Sequence, residues 1–157
     1  MVALDRAGLP SNLIQYDYHP FSTRIGLQAA QALSEPPGRL LKTLIIEVDG
    51  KPACVLLPSY RYLSLKRAAT AFAGKSACMM APTTAERLSG YKMGGVSPFS
   101  QRRRLPFAIK IIAMAEPYLL VNGGGRGLQL RVTFATIIAA TGAVVVPLIS
   151  NDTIRRP

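Results

Sequence analysis

Histidine is nearly missing from this 157-residue chain, which holds one, His19 in "YDYHPF". A serine-histidine-acid triad needs an imidazole relay. His19 stands before a proline, where a structural or surface role is the simpler reading and a substrate contact the second. Cysteine is scarce as well. Cys54 in "PACVLLP" and Cys78 in "SACMMAP" lie apart, with no CxxC spacing, and the sequence predicts two buried thiols without a disulfide. One histidine and two separated cysteines make no zinc ligand set, so no metal is expected, and no cofactor either. Acids number only eight. Glu47 and Asp49 alternate at a strand end, Glu86 and Glu116 stand alone, and no pair is spaced for two-carboxylate chemistry.

Long apolar runs are absent too. The runs "AVVVPLI" and "LPFAIKIIAMA" fall far short of the roughly 20 residues of a spanning helix, and Lys110 interrupts the second. Asp5 and Arg6 in "MVALDRAGLP" occupy the place of a signal peptide's apolar stretch. The expectation is a cytoplasmic protein without a membrane partner.

What the chain has is positive charge and glycine. Nineteen Lys and Arg against eight acids give +11 and a pI near 10.3, a balance suited to polyanions such as nucleic acid. The excess is concentrated. Between Arg87 and Arg131 lie eight basic residues and one acid, Glu116. They flank two glycine turns, "GYKMGGVSPFSQRRRLP" and "LLVNGGGRGLQL". Neither turn has the GxGxxG or Walker pattern. Glycine still lets backbone approach a ligand closely, and successive amides can form an anion nest. A plain turn and a solvated basic face are the bland alternatives.

With 49% hydrophobic residues the chain reads as one globular domain over 1–150 with a loosely tethered tail at 151–157. "NLIQYDY" reads as a strand and "TRIGLQAAQAL" as a helix. "RLLKTLIIEV" and "PACVLLP" form a hairpin through Asp49-Gly50-Lys51. "SLKRAATAFAG" is a helix with Ser64 as cap, Leu65, Ala68, Ala69 and Phe72 on one face, and Gly74 as stop. "PTTAERL" is a short helix opened by proline. "PYLLVN" and "LQLRV" flank the second glycine turn. "TFATIIAATG", capped by Thr133 and ended by Gly142, leads to the last strand "AVVVPLI". The fold class is mixed α/β, with a mixed β-sheet curled toward a barrel and flanked by helices.

Three segments, "LLKTLIIEVDG", "GYKMGGVSPFSQRRRLP" and "LLVNGGGRGLQL", resemble in order and separation the signatures of the YbaK/EbsC family of aminoacyl-tRNA editing proteins. The resemblance spans nearly the whole chain and is closer to the free-standing members than to the domain inserted in prolyl-tRNA synthetase. It implies hydrolysis of the ester of a mischarged tRNA, first of all Cys-tRNA(Pro), with Ala- or Ser-tRNA as alternatives. It also implies aminoacylated tRNA, and tRNA(Pro) above all, as partner, with prolyl-tRNA synthetase as a further one. By resemblance Lys42 holds the terminal nucleotide and its phosphate, and Gly94 and Gly95 line the aminoacyl pocket. Tyr16, with Tyr18 as second choice, and His19 belong to the substrate site, together with Ser97, Asn122, Gly123, Gly124 and Arg126. Arg102, Arg103 and Arg104 meet tRNA phosphates. Asn122 stands where many family members carry serine, and "SQRRR" replaces a commoner Gly-Gln-Lys pattern. The resemblance implies no protein nucleophile, since an aminoacyl ester is already activated. Two readings stand beside it: a module that holds tRNA or a synthetase without turnover, and a hydrolase of another small ester.

Overall fold

The computed structural model describes residues 8, 11–15 and 33–149. Among them are β1 (Asn12–Gln15), β2 (Leu41–Val48), β3 (Lys51–Pro58), α1 (Leu65–Ala71), β4 (Ala77–Met79), α2 (Pro82–Ser89), β5 (Phe107–Lys110), β6 (Leu119–Asn122), β7 (Leu128–Val132), α3 (Phe134–Thr141) and β8 (Val144–Val146). The expected helix over 23–33 lies outside the described residues apart from Leu33, as do the end of the first expected strand and the 151–157 tail.

The β2–β3 hairpin follows from its turn. Asp49 and Gly50 both take positive φ, 50° and 79°, the two-residue geometry that Asp-Gly favours. The ladder runs from Val48 opposite Lys51 to Leu41 opposite Pro58. Asp49 also gathers a loop, because its carboxylate accepts from the N–H groups of Lys75 and Ser76 at 3.0 Å. These bonds favour the charged form and hold its pKa below the usual carboxylate value.

The helix signals resolve locally. The Ser64 and Thr133 hydroxyls accept from Arg67 and Thr136 N–H, and Gly90 and Gly142 close α2 and α3 in the left-handed region. Gly74 stops α1 in another way: Ala73 carries the positive φ, 56°, and the Gly74 N–H returns to the Ala69 carbonyl at 2.8 Å. A side chain at 74 would strike Val48 and Asp49. Leu65, expected on the inner face, is 37% exposed.

Two strands escape the sequence reading. Short β4 pairs antiparallel with β2, and β5 pairs parallel with β3 and with β8. The five-stranded sheet therefore has the order β4-β2-β3-β5-β8, and a three-stranded sheet has the order β1-β7-β6. A parallel bridge, Leu40 to Leu120, links them, and among the described residues the sheets do not close into a barrel. The main core lies between them. Leu41, Ile45, Cys54, Leu56, Phe107 and Ile109 of the large sheet meet Leu119, Val121, Leu130 and Val132 of the small one. Alternate residues of the large sheet, Ile46, Val48, Val55, Leu57 and Ala108, pack on its other face with Ala68 and Ala69 of α1 and with Leu148. Among the described residues no helix is long and apolar enough to cross a membrane.

Cysteine exposure corrects one expectation. Cys54 is buried, but Cys78 is exposed, because β4 is an edge strand and Cys78 sits opposite Glu47 on the rim, with Sγ 3.8 Å from Glu47 Oε2. Burial pushes the Cys54 thiol up to about 12, which suppresses its thiolate. Titration of the native protein with an aromatic disulfide reagent at neutral pH is therefore expected to label Cys78 promptly and Cys54 only after denaturant is added. Prompt labelling of both would contradict the packing.

Candidate functional site

The two glycine turns, about thirty residues apart in sequence, come into direct backbone contact. A side chain at Gly95 would stand 3.2 Å from Arg126 N and from Gly125 C and Cα, a tight approach to backbone that would have to give by a few tenths of an ångström, so glycine suits the position. Gly94 beside it has φ 86°. Across the contact, Asn122 at the end of β6 acts as a clip. Its Oδ1 accepts from Gly124 N–H at 2.7 Å and Gly125 N–H at 3.1 Å, while its Nδ2 donates to Gly125 O at 3.1 Å and Gly94 O at 3.4 Å. The Arg126 guanidinium donates to the Met93 carbonyl at 3.2 Å. Tyr91 seals the far side: its ring lies where a side chain on Gly124 would be, and its hydroxyl donates to the Phe99 carbonyl.

These bonds also define what the glycines supply. The N–H groups of Gly95, Gly123, Gly124 and Gly125 are taken by Lys92 O, Leu128 O and Asn122 Oδ1. The turns thus offer close approach and carbonyl surface more than a row of open donors. Ser97 is turned inward, 1% exposed, and its hydroxyl accepts from Phe99 N–H at 3.2 Å. Gln101 braces the same loop by donating to Ser97 O at 3.1 Å. Glu86 on α2 holds the loop from below, accepting from Met93 N–H at 3.0 Å.

Lys42 lies close to the link between the sheets. The bridge from Leu40 to Leu120 is parallel, so two residues further on each chain stand Lys42 and Asn122. The pleat returns both to the side of Leu40 and Leu120, which with Ile14 and Leu33 form a small buried cluster. Asn122 in turn touches Gly94. The Lys42 side chain is half-buried, its ammonium 5.8 Å from the Tyr62 ring centroid, and loss of water lowers its pKa below the ordinary lysine value. A partly desolvated cation of this kind gains from an anion brought beside it.

The arginine run is placed differently. Arg102, Arg103 and Arg104 are exposed, and the N–H groups of Arg102 and Arg103 donate to Ser89 O and Leu88 O at the end of α2. Two of these basic residues therefore sit at a helix C-terminus, where positive charge is favoured, and their heads face solvent. Tyr16, Tyr18 and His19 lie outside the described residues. Among the described residues no group of three or more His, Cys, Asp or Glu could hold a metal ion.

Comparison with known proteins identifies the family. A model of the aminoacyl-tRNA editing domain matches residues 25–139. The chain belongs to the aminoacyl-tRNA editing domain family. A relative from Enterococcus faecalis, provisionally named the Cys-tRNA(Pro)/Cys-tRNA(Cys) deacylase EbsC, is 30% identical over 114 residues, covering 71% of this chain and 69% of its own. A solved structure described provisionally as a trans-editing enzyme for prolyl-tRNA synthetase is 26% identical with a TM-score of 0.81, covering 95% of this chain and 93% of its own. A hypothetical protein of known structure, 23% identical with a TM-score of 0.83 over 95% of this chain and 97% of that one, bears on the fold alone.

Sequence reasoning missed Tyr91, Gln101 and Glu86 as supports of the site. Tyr91 and Gln101 flank the Gly-Gly turn inside the quoted segment, and the turn's need for a backing surface was the available signal. Asn122→Ala should unclip the turns while leaving the sheets intact. We expect a loss of about 1 to 3 kcal/mol from the unpaired backbone groups, read by denaturant melts, with faster amide exchange confined to 93–97 and 122–127. Exchange unchanged in both segments would show that the clip is dispensable.

Proposed function

We propose that the protein is a trans-editing deacylase that hydrolyses the ester of mischarged tRNA, with Cys-tRNA(Pro) as its first substrate and Ala- or Ser-tRNA as the alternatives within the family. It acts in the cytoplasm, and prolyl-tRNA synthetase is the partner that would supply its tRNA. The reading is supported by the Asn122 clip, whose amide ties the 123–125 turn to Gly94, with Lys42, a half-buried cation, two residues past the bridge that joins the sheets.

In this reading the Lys42 ammonium takes the phosphate or ribose oxygens of the terminal adenosine. The Gly94–Gly95 bend and the facing Gly123–Gly124 turn confine the aminoacyl group. Asn122 and Arg126 hold the two turns at fixed separation, and Ser97 works from inside the loop. The solvent-facing heads of Arg102, Arg103 and Arg104 meet acceptor-stem phosphates, while Tyr16, Tyr18 and His19 complete the substrate site from the N-terminal segment. No side-chain nucleophile is invoked. With a cysteinyl ester the substrate's sulfur attacks its own carbonyl carbon; the C–S bond forms, the C–O bond to ribose breaks, the thiol proton passes to the leaving ribose oxygen, and water then opens the released thiolactone, giving free cysteine. With alanyl or seryl esters a water held in the same place attacks. Positioning of an activated ester can supply up to roughly 7 to 11 kcal/mol of the barrier. Among cysteine, alanine and serine the pocket itself discriminates little, since one methylene is worth only about 1 to 3 kcal/mol.

The decisive measurement is release of amino acid from Cys-, Ala-, Ser- and Pro-tRNA(Pro), with and without prolyl-tRNA synthetase. We expect the cysteinyl ester to be cleaved fastest and the prolyl ester to be spared. Lys42→Ala should slow release by about 100-fold or more, the scale seen when one electrostatic stabiliser is removed, with an unchanged melting curve. Gly95→Ala, which pushes backbone against backbone, should do the same with some loss of stability. Salt-sensitive tRNA binding without release from any ester would instead make the protein a tRNA-holding module.

A further inference from the structure

The parallel bridge from Leu40 to Leu120 has two sides. Two residues downstream of it stand Lys42 and Asn122. Upstream stands a cluster of charge that no step of the proposed reaction uses: Glu35 and Arg39 ahead of β2, Glu116 and Tyr118 ahead of β6, and Arg131 on β7, opposite Leu120.

Two guanidiniums lie over the Tyr118 ring, Arg39 at 4.5 Å and Arg131 at 4.4 Å from its centroid. The ring quadrupole attracts both cations, and one carboxylate serves them together. That carboxylate is Glu35, whose side chain is 9% exposed. Its oxygens accept from the Tyr118 hydroxyl at 2.7 and 2.9 Å, from Arg131 at 3.2 Å and from Arg39 at 3.5 Å. Arg39 also donates to the Tyr118 hydroxyl at 2.7 Å and to Glu116 at 2.9 Å. Two arginines against two glutamates leave the cluster neutral, so it offers a polyanion no net charge.

What the cluster joins shows its use. Glu35 bonds to residues 83 and 96 positions along the chain, and so draws the segment that leads into β2 onto the small sheet. Apolar contacts at this place are few: Leu40 and Leu120, with Ile14 and Leu33 packed against them. Burial is non-directional. A slide of one sheet along the other would keep these leucines in contact and break the bonds of the cluster, whose distances and angles are set.

We propose that Glu35 and Tyr118 are positioning residues for Lys42: the cluster sets the register between the two sheets, and with it the place of Lys42 relative to Asn122 and the glycine turns. Neither residue touches the substrate. They act through the strand that carries the lysine.

The consequence for catalysis rests on the deacylase reading, while the register itself is tested without turnover. Cys78 is exposed and Cys54 buried, so the chain carries a labelling site on the large sheet. Gln15→Cys, exposed on β1 and opposite Leu128, away from Arg131, supplies one on the small sheet. With a nitroxide on each, pulsed electron paramagnetic resonance reads the distance between the sheets. The intact cluster should give one narrow distance distribution. Tyr118→Phe, which keeps the ring under the guanidiniums and removes the hydroxyl, and Glu35→Gln, which keeps the shape and removes the charge, should each broaden or shift it. In unlabelled protein the same substitutions should slow single-turnover release from Cys-tRNA(Pro) by up to about 100-fold, the cost of a misplacement of about 1 Å, with tRNA affinity as in the wild type. Melting curves establish that both variants are folded. A lowered melting temperature with unchanged distances and unchanged release would make the cluster a plain stabiliser and overturn the proposal. So would altered distances with wild-type release. Absent ester cleavage by the wild-type protein would count against the function, and the distance distributions would still decide whether the cluster sets the register.

Discussion

Two loops can share a ligand only if nothing stands between them, and here the intervening matter is reduced to hydrogen. Gly95 lies against Gly125 and Arg126 at a separation that a methyl group would fit only by pushing the backbone aside by a few tenths of an ångström. Everything around the contact maintains it. Asn122 uses both ends of its amide to tie the loops, Arg126 crosses back to Met93, Tyr91 fills the rear, and Glu86 fastens the first loop to its helix. A hydrophobic core alone would not hold polar loops so close, because it is indifferent to direction; hydrogen bonds fix both distance and orientation.

The sheets give the loops their address. β6 delivers Asn122 and β2 delivers Lys42, and the parallel bridge at Leu40 and Leu120 keeps the two strand ends side by side. The sheets part beyond it. An unlinked pair of sheets would leave the strands that carry Lys42 and Asn122 without a fixed relation.

Much of this was readable in the sequence where the determinant is local. Asp49-Gly50 announced the hairpin, Ser64 and Thr133 their helices, and Gly90 and Gly142 are the left-handed closures that follow "PTTAERLS" and "TFATIIAAT". The family was legible because three signatures coincide in order. What stayed hidden depends on partners distant in sequence. β5 is four residues long, and its identity as a strand comes from β3 and β8 on either side. Cys78 reads as apolar and buried in "SACMMAP", yet an edge strand has one side open to water.

The five-stranded sheet ends on both sides in strands of three residues, β4 and β8. An unpaired edge can recruit a foreign strand, and the risk grows with the length of ladder on offer. Two such stubs, on a molecule of net charge +11, give another copy little to zip onto and a repulsive field to cross. The same charge that draws in an RNA thus guards a β-rich protein against aggregation.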